Sequence, residues 1–209
     1  MGYYIRVLTP SDRVPTPGEL QATLDGERRR ARVTVEAGTP EAWEQIVLSH
    51  ADGREIASIE RDVAARGLVG SDEIREFIEE LDDGEPKSSA EWLREYLPRV
   101  RTIYAFQVLS GADVRNGWAS IHALIACLHS SLGGIIQADG EGFSNENGDH
   151  ILWQFDDDVR GKWWMALLQD GKWVRFRMNL GNLKQRAAFM RGEIPPGVEL
   201  GSPEGQRDA

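Results

Sequence analysis

The side chains best suited to catalysis or ion binding lie in one loop of the C-terminal half. Carboxylates and amides crowd residues 139–149, and a histidine follows directly. Oxygen-rich loops can bind calcium, and a histidine beside a carboxylate can act as a general base. One interpretation is therefore a small-molecule or metal-dependent enzyme with its site in this loop. The residues of that site would be His150, Asp139, Glu141 and Asp149.

Several features of the same loop favour a β-hairpin instead. Asn147-Gly148 is a strong signal for a two-residue turn, and Gly140 and Gly142 fit bulges or close backbone approach. The EF-hand order fails, because Phe143 stands where an oxygen ligand is expected. No H-E-x-x-H, C-x-x-C, Walker or G-x-S-x-G pattern occurs in the chain. We therefore expect neither a metal nor a cofactor, and we favour a non-enzymatic protein over an enzyme.

A second candidate site is the hairpin expected around Asp170-Gly171. Counting outward from this turn leaves one face apolar, which is the natural core face. The opposite face mixes tryptophan with arginine, a composition enriched in binding hot spots. We expect this face to bind a partner or an anionic ligand, unless a helix or loop covers its tryptophans. Its residues are Trp164, Trp173, Arg175 and Arg177, with Trp164 opposite Arg177 at cation–π distance.

The single cysteine, Cys127, is expected to be buried and unreactive. It lies in a predicted helix among apolar neighbours. His129, two residues further on, points away from it, because successive helical residues are rotated by about 100°. One cysteine cannot form an internal disulfide, which fits a reducing compartment.

These candidate residues must be positioned by strands and helices that hydrophobic periodicity predicts. The predicted strands are residues 3–9, 32–36, 43–50, 55–61, 102–109, 135–138, 150–155, 163–168 and 173–178. The predicted helices are residues 17–26, 71–81, 88–97, 118–130 and 183–190. Asp52-Gly53 and the two dipeptides named above are expected at hairpin turns. The predicted fold class is α+β, with a mainly antiparallel sheet and helices on one side.

Each half of the chain runs through a strand, a helix and three strands. This order suggests two β-α-β-β-β halves, although residue identity between them is negligible and α+β chains often look alike when written so coarsely. The predicted divisions are an N-terminal half at 1–66, an acidic helical connector at 67–99, a C-terminal half at 100–194 and a disordered tail at 195–209.

Charge is the strongest indication of what the chain binds. Its 209 residues carry a formal net charge of -10, so the average field repels a phosphate backbone and we expect no binding to nucleic acid. A basic protein partner would be attracted. The acidic stretch 71–85, in which Arg75 is the only cation, is either a solvated face or a docking surface for such a partner.

No run of about 18 apolar residues could span a membrane, and the N-terminus lacks the pattern of a secretory signal. We therefore expect a cytoplasmic protein. Small acidic α+β proteins that neutralise basic toxins, such as nuclease inhibitors and immunity proteins, have a similar composition, but no motif is shared. The sequence favours a binding protein of this inhibitor-like or immunity-like kind over the enzyme described above.

Overall fold

The protein has an α+β fold with antiparallel sheets, as its sequence predicts. A computed structural model describes residues 2–114 and 116–201. The strands are β1 (Tyr3–Thr9), β2 (Ala31–Thr39), β3 (Ala42–His50), β4 (Glu55–Val63), β5 (Thr102–Val108), β6 (Ile135–Ala138), β7 (Gly142–Ser144), β8 (Lys162–Gln169), β9 (Lys172–Asn179) and β10 (Glu199–Leu200). The helices are α1 (Pro17–Gly26), α2 (Val69–Glu80), α3 (Lys87–Tyr96), α4 (Gly117–Leu132) and α5 (Leu183–Met190).

The larger sheet has the strand order β2-β3-β4-β5-β1-β6-β7. β5 lies antiparallel between β4 and β1, and β1 lies antiparallel between β5 and β6. Two split β-α-β units, β1-α1-β4 and β5-α4-β6, therefore interleave, which is the ferredoxin-like arrangement. Strands from both halves of the sequence alternate in this one sheet. β2 and β3 form a hairpin inserted between α1 and β4.

The chain divides into two compact units, and both are discontinuous in sequence. The first unit comprises Met1–Ile74 and Val100–Asp139, and the second comprises Arg75–Arg99 and Gly140–Ala209. The divisions predicted from the sequence follow the chain instead, with boundaries after residues 66, 99 and 194. The predicted tail from residue 195 contains β10, and its residues 202–209 lie outside the described part of the chain.

In the first unit, α1 and α4 pack together over one face of the sheet. α1 begins with a capping box, in which the Glu19 N–H donates to Thr16 Oγ1 at 3.2 Å and the Thr16 N–H donates to the Glu19 carboxylate at 2.7 Å. Trp43 is fully buried, and its indole N–H donates to the Pro15 carbonyl at 2.7 Å. On β3 and β4 the opposite face of the sheet is polar, with Gln45 donating to Ser58 at 2.9 Å.

In the second unit, the β8-β9 hairpin and α5 enclose a separate core. The residues of this core are Phe155, Met165, Leu167, Phe176, Met178, Leu180 and Phe189. Four of them, Met165, Leu167, Phe176 and Met178, lie on the hairpin face that the sequence identified as apolar, and β10 pairs with the free edge of β9. The strand predicted at 150–155 is reduced to bridges at His150, which pairs with Ser144 and with Met165.

Each of the three dipeptides expected at hairpins lies in a turn. Gly53, Gly148 and Gly171 have φ of 87°, 81° and 72°, the left-handed region that such turns require. Around the first turn Ile46 pairs with Ile59. The register shifts by one residue beside that turn, where Ser49 pairs with Glu55. Among the described residues, no helix is long and apolar enough to cross a membrane.

Candidate functional site

The β8-β9 hairpin places Trp164, Trp173, Arg175 and Arg177 on one face, as the count from Asp170-Gly171 predicted. Trp164 is paired with Arg177, and Trp173 is paired with Leu168. The cation–π partner of Trp164 is nevertheless Arg175, whose guanidinium carbon lies 3.9 Å from the ring centroid. The corresponding distance for Arg177 is 6.0 Å. The diagonal arginine, and not the directly opposed one, therefore stacks on the tryptophan.

Arg175 is also one half of an ion pair within the second unit. Its Nε donates to Asp149 Oδ1 at 2.7 Å, and the Asp149 side chain is only 3% exposed. Burial raises the pKa of Asp149, and the hydrogen bond and charge of Arg175 oppose that rise. Arg175, which the sequence predicted to bind a ligand, thus compensates a buried carboxylate.

Trp173 is covered in part by α3. Its ring meets Trp92 edge-to-face at 5.1 Å between centroids, and Trp92 stacks on Tyr96 at 4.9 Å. Trp164 and Trp173 are both half-buried, while Arg177 is exposed. The four residues are therefore brought together, but the side chains of Arg175 and Trp173 also contact Asp149 and Trp92 elsewhere in the second unit. Their role in binding a partner or an anionic ligand stays a prediction.

Asp149 and His150 point to opposite sides of their extended segment. The His150 ring lies 4.8 Å from Trp163 and 5.3 Å from Phe155, whereas Asp149 faces Arg175. Burial lowers the pKa of His150 to about 4, and its buried Nδ1 has no hydrogen-bond partner among the described residues. These two side chains consequently do not form an acid–base pair.

Asp139 belongs to a polar network in the first unit. Its carboxylate accepts from Arg6 Nη1 at 2.7 Å and from the Tyr4 N–H at 3.0 Å. Arg6 also contacts Glu73 at 2.5 Å and Gln137 at 2.7 Å. No local sequence pattern predicts this network, because the partners of Arg6 lie far away along the chain. Glu141 belongs to the second unit. Nowhere in 2–114 or 116–201 do three or more histidine, cysteine, aspartate or glutamate side chains cluster as a metal site would require.

Cys127 is half-buried and not fully buried as expected. Thr23 Oγ1 donates to its sulfur at 3.1 Å across the α1–α4 contact. The thiol packs against the edge of the core of the first unit, with Arg13 and Ser131 nearby. Its partial exposure arises because the helix face that carries it meets α1 at the margin of the core.

The polar face of the first unit contains a hollow that the sequence did not reveal. Alternation along β4 turns Glu60 and Asp62 to this face, because Ile59 faces the helices. Leu68, directly before α2, and Val69, its first residue, form one wall. We call this surface the acidic hollow and define it by Glu44, Glu60, Asp62, Val63, Leu68 and Val69.

The aliphatic residues of the acidic hollow are open to solvent. Val63 is 40% exposed, Leu68 is 49% exposed and Val69 is 71% exposed. They make up half of the large hydrophobic residues that are exposed in the described part of the chain, and they are contiguous. Single exposed aliphatics are ordinary, but a contiguous group rimmed by charge is typical of an interaction surface.

The carboxylates of the acidic hollow have no partners within the described residues. The side chains of Glu44, Glu60 and Asp62 form no hydrogen bond and no salt bridge there. Arg61, whose side chain also lines the hollow, directs its Nε to the Trp43 carbonyl at 2.6 Å. Partial burial raises the pKa of Asp62, and the charge of Arg61 opposes that rise without forming a salt bridge. A half-buried carboxylate without a salt bridge is stabilised when a further cation arrives.

Comparison with known proteins adds no relative to these observations. The chain matched no protein-family model, no curated protein and no solved structure. The functional argument therefore rests on the exposure, charge and geometry of the chain's own residues. The sequence signal for the acidic hollow is the Leu68-Val69 pair between two glycines, directly before an acidic helix.

Proposed function

We propose that this chain is a non-enzymatic binding protein that docks a basic segment of another protein in the acidic hollow. The observation that carries the proposal is the juxtaposition of three exposed aliphatic side chains with three carboxylates that lack partners within the described residues. An enzyme would need converging catalytic groups, and Asp149 and His150 diverge.

Lysine and arginine have the shape that such a surface accommodates. Each carries a cationic head on an aliphatic stem, and the stem packs on apolar surface while the head reaches a polar group. In the acidic hollow the stems would lie against Leu68 and Val69, and the heads would reach Glu60 and Asp62. A neutral apolar partner would leave these carboxylates desolvated and unpaired, which costs free energy.

The overall charge favours the same class of partner. A net charge of -10 steers a basic protein toward the chain and repels nucleic acid. A protein that binds phosphate needs a basic surface, and covering that surface would inhibit it. We therefore propose an inhibitor-like or immunity-like role toward a basic protein such as a nuclease. A cytoplasmic location is part of the proposal, because the half-exposed thiol of Cys127 stays reduced there.

The test uses a short peptide of alternating lysine and leucine with a fluorescent label, and anisotropy measures its affinity. We expect Glu60→Lys to weaken binding by about tenfold or more, since it reverses one charge in the hollow. The matched control is Glu79→Lys on α2, which changes the net charge equally at an exposed site outside the hollow. Equal losses in both variants would show attraction to net charge alone, and the proposal would fail.

Asp62 gives the binding a defined pH dependence. Its pKa is raised in the free protein, and an arriving cation lowers it again, so binding releases a proton from this group. Affinity for the peptide should therefore fall as the pH drops through the raised pKa of Asp62. Asp62→Asn should weaken binding at neutral pH and reduce this dependence. An unchanged pH profile in Asp62→Asn would contradict the assignment.

A further inference from the structure

β2 is an edge strand whose outer side faces no other strand of the described chain. It is nine residues long and contains neither lysine nor proline, the residues that commonly protect an edge. The side chains of Arg32, Thr34 and Glu36 are exposed, and the first two share a face of the sheet, since Arg32 pairs with Ser49 and Thr34 with Val47.

The Gln21 side chain shows which backbone groups of β2 point outward. Its Nε2 donates to the Ala31 carbonyl at 3.1 Å, and the Val33 N–H donates to its Oε1 at 3.0 Å. The amide of Gln21 thus imitates one residue of a neighbouring strand. Because outward groups recur at every second residue, the Val33 carbonyl and the backbone groups of Val35 extend the same free edge beyond Gln21.

We propose that two copies of this chain associate through antiparallel pairing of their β2 edges. The sequence from Arg32 to Glu36 reads Arg-Val-Thr-Val-Glu, and its charges are self-complementary. Placing Thr34 opposite Thr34 of the second copy puts Arg32 opposite Glu36 of that copy, and the reverse pair forms by symmetry. Both pairs are attractive, which is the requirement for an interface whose two sides are identical.

The hydrogen bonding agrees with this register. With the two Thr34 residues opposed, Val33 lies opposite Val35 of the second copy, and both present outward N–H and C=O groups. Gln21 must then release the Val33 N–H, so it opposes association. Glu36 is the extra residue of a bulge between Val35 and Ala37, so the segment available for pairing ends at Glu36. An interface this small gives a weak dimer, with a dissociation constant on the order of 100 μM.

Sedimentation equilibrium of the full chain over a wide concentration range tests the proposal. The wild-type protein should show a reversible monomer–dimer equilibrium. Arg32→Glu places like charges opposite each other twice, and Glu36→Arg does the same, so each should weaken the dimer by roughly tenfold. The double variant Arg32→Glu with Glu36→Arg restores opposite charges and should recover the wild-type constant. Gln21→Ala frees the edge and should strengthen association severalfold.

The charge swaps decide the outcome, because all three variants alter exposed residues and each fold is checked by circular dichroism. A wild-type chain that stays monomeric up to about 1 mM would overturn the proposal. So would a dimer that the single reversals leave unchanged, or one that the double variant fails to restore. Peptide binding in the acidic hollow is measured separately at low protein concentration, so either proposal can fail without the other.

Discussion

Two surfaces of this protein carry charged and apolar side chains side by side, and they differ in what those side chains contact. On the hairpin face of the second unit, Arg175 meets Asp149 and Trp164, and Trp173 meets Trp92. In the acidic hollow of the first unit, Glu60 and Asp62 have no partner within the described residues, and Val69 is largely exposed. The charged and aromatic side chains of the hairpin face thus contact other side chains of the second unit, whereas the carboxylates of the acidic hollow form no salt bridge in the described part of the chain.

This difference explains why composition alone is a poor guide to a binding site. Tryptophan and arginine on one hairpin face are typical of a hot spot, but they are equally suited to holding α3 and a buried aspartate in place. The acidic hollow has an ordinary composition. It stands out only because its residues are adjacent in space and its carboxylates form no salt bridge within the described residues.

The largest effect expected on the hairpin face is from Trp173→Ala. The half-buried ring packs on Trp92, so its loss should lower the free energy of unfolding by about 3 kcal/mol. Lys172→Ala, an exposed change on the same strand, is the control and should alter stability by less than about 0.5 kcal/mol. Urea denaturation measures both. If Trp173→Ala were as stable as the control, packing on Trp92 would not stabilise the protein, and this face would be an open surface.

Arg175→Ala should have the next largest effect. It leaves Asp149 buried without its cation, at a cost of about 2 kcal/mol, less than for a fully buried pair because Arg175 is 31% exposed. The pKa of Asp149 is already raised and should rise further. A raised carboxylate pKa means that the folded state holds the proton more tightly than the unfolded state does. The loss of stability in Arg175→Ala should therefore shrink as the pH falls through the pKa of Asp149.

Denaturation at several pH values checks this expectation, with Arg177→Ala as the control. Arg177 is exposed and lies on the same strand, so its removal should cost less than about 0.5 kcal/mol at every pH. If the two arginine variants behaved alike, Asp149 would not depend on Arg175.

His150 should make stability fall in mild acid. Burial lowers its pKa from 6.5 to about 4, so the unfolded chain binds a proton before the folded protein does. The stability that neutral His150 contributes is fully present above pH 6.5 and is lost between pH 6.5 and about 4, amounting to about 3 kcal/mol. His150→Phe should flatten stability in this window, and His122→Gln, at an exposed position, should not.

The smallest effect on stability is expected in the acidic hollow. Val69→Asp changes a side chain that is 71% exposed, so the free energy of unfolding should change by less than about 0.5 kcal/mol. Affinity for the lysine–leucine peptide should nevertheless fall by about tenfold, because the apolar wall is lost. Val69→Leu preserves the wall and serves as the matched control. A large loss of stability in Val69→Asp would mean that the wall is structural.

Local features of the fold could be predicted from the sequence, and long-range ones could not. The Asp170-Gly171 turn sets the pairing of Trp164 with Arg177, and the capping box sets the start of α1. The insertion of β5 between β1 and β4 depends on strands separated by about 40 to 100 residues, for which no local pattern exists.

The candidate sites divide in the same way. The sequence placed four side chains on the hairpin face, but it could not show that Trp92, 81 positions before Trp173, covers one of them. The sequence analysis missed the acidic hollow because its walls come from β4 and from Leu68 and Val69 at the start of α2. Only the folded chain brings these segments together. Exposure and missing partners can be read only from the folded chain.

The most direct test of the proposed function maps the lysine–leucine peptide onto the protein by amide chemical-shift changes in labelled full-length chain. The account predicts that the largest shifts cluster at residues 44–45, 60–63 and 68–70, the lining of the acidic hollow, and that Glu60→Lys removes them while Glu79→Lys does not. Shifts concentrated instead on α2 beyond residue 70, or spread evenly over all acidic surfaces, would contradict the central claim.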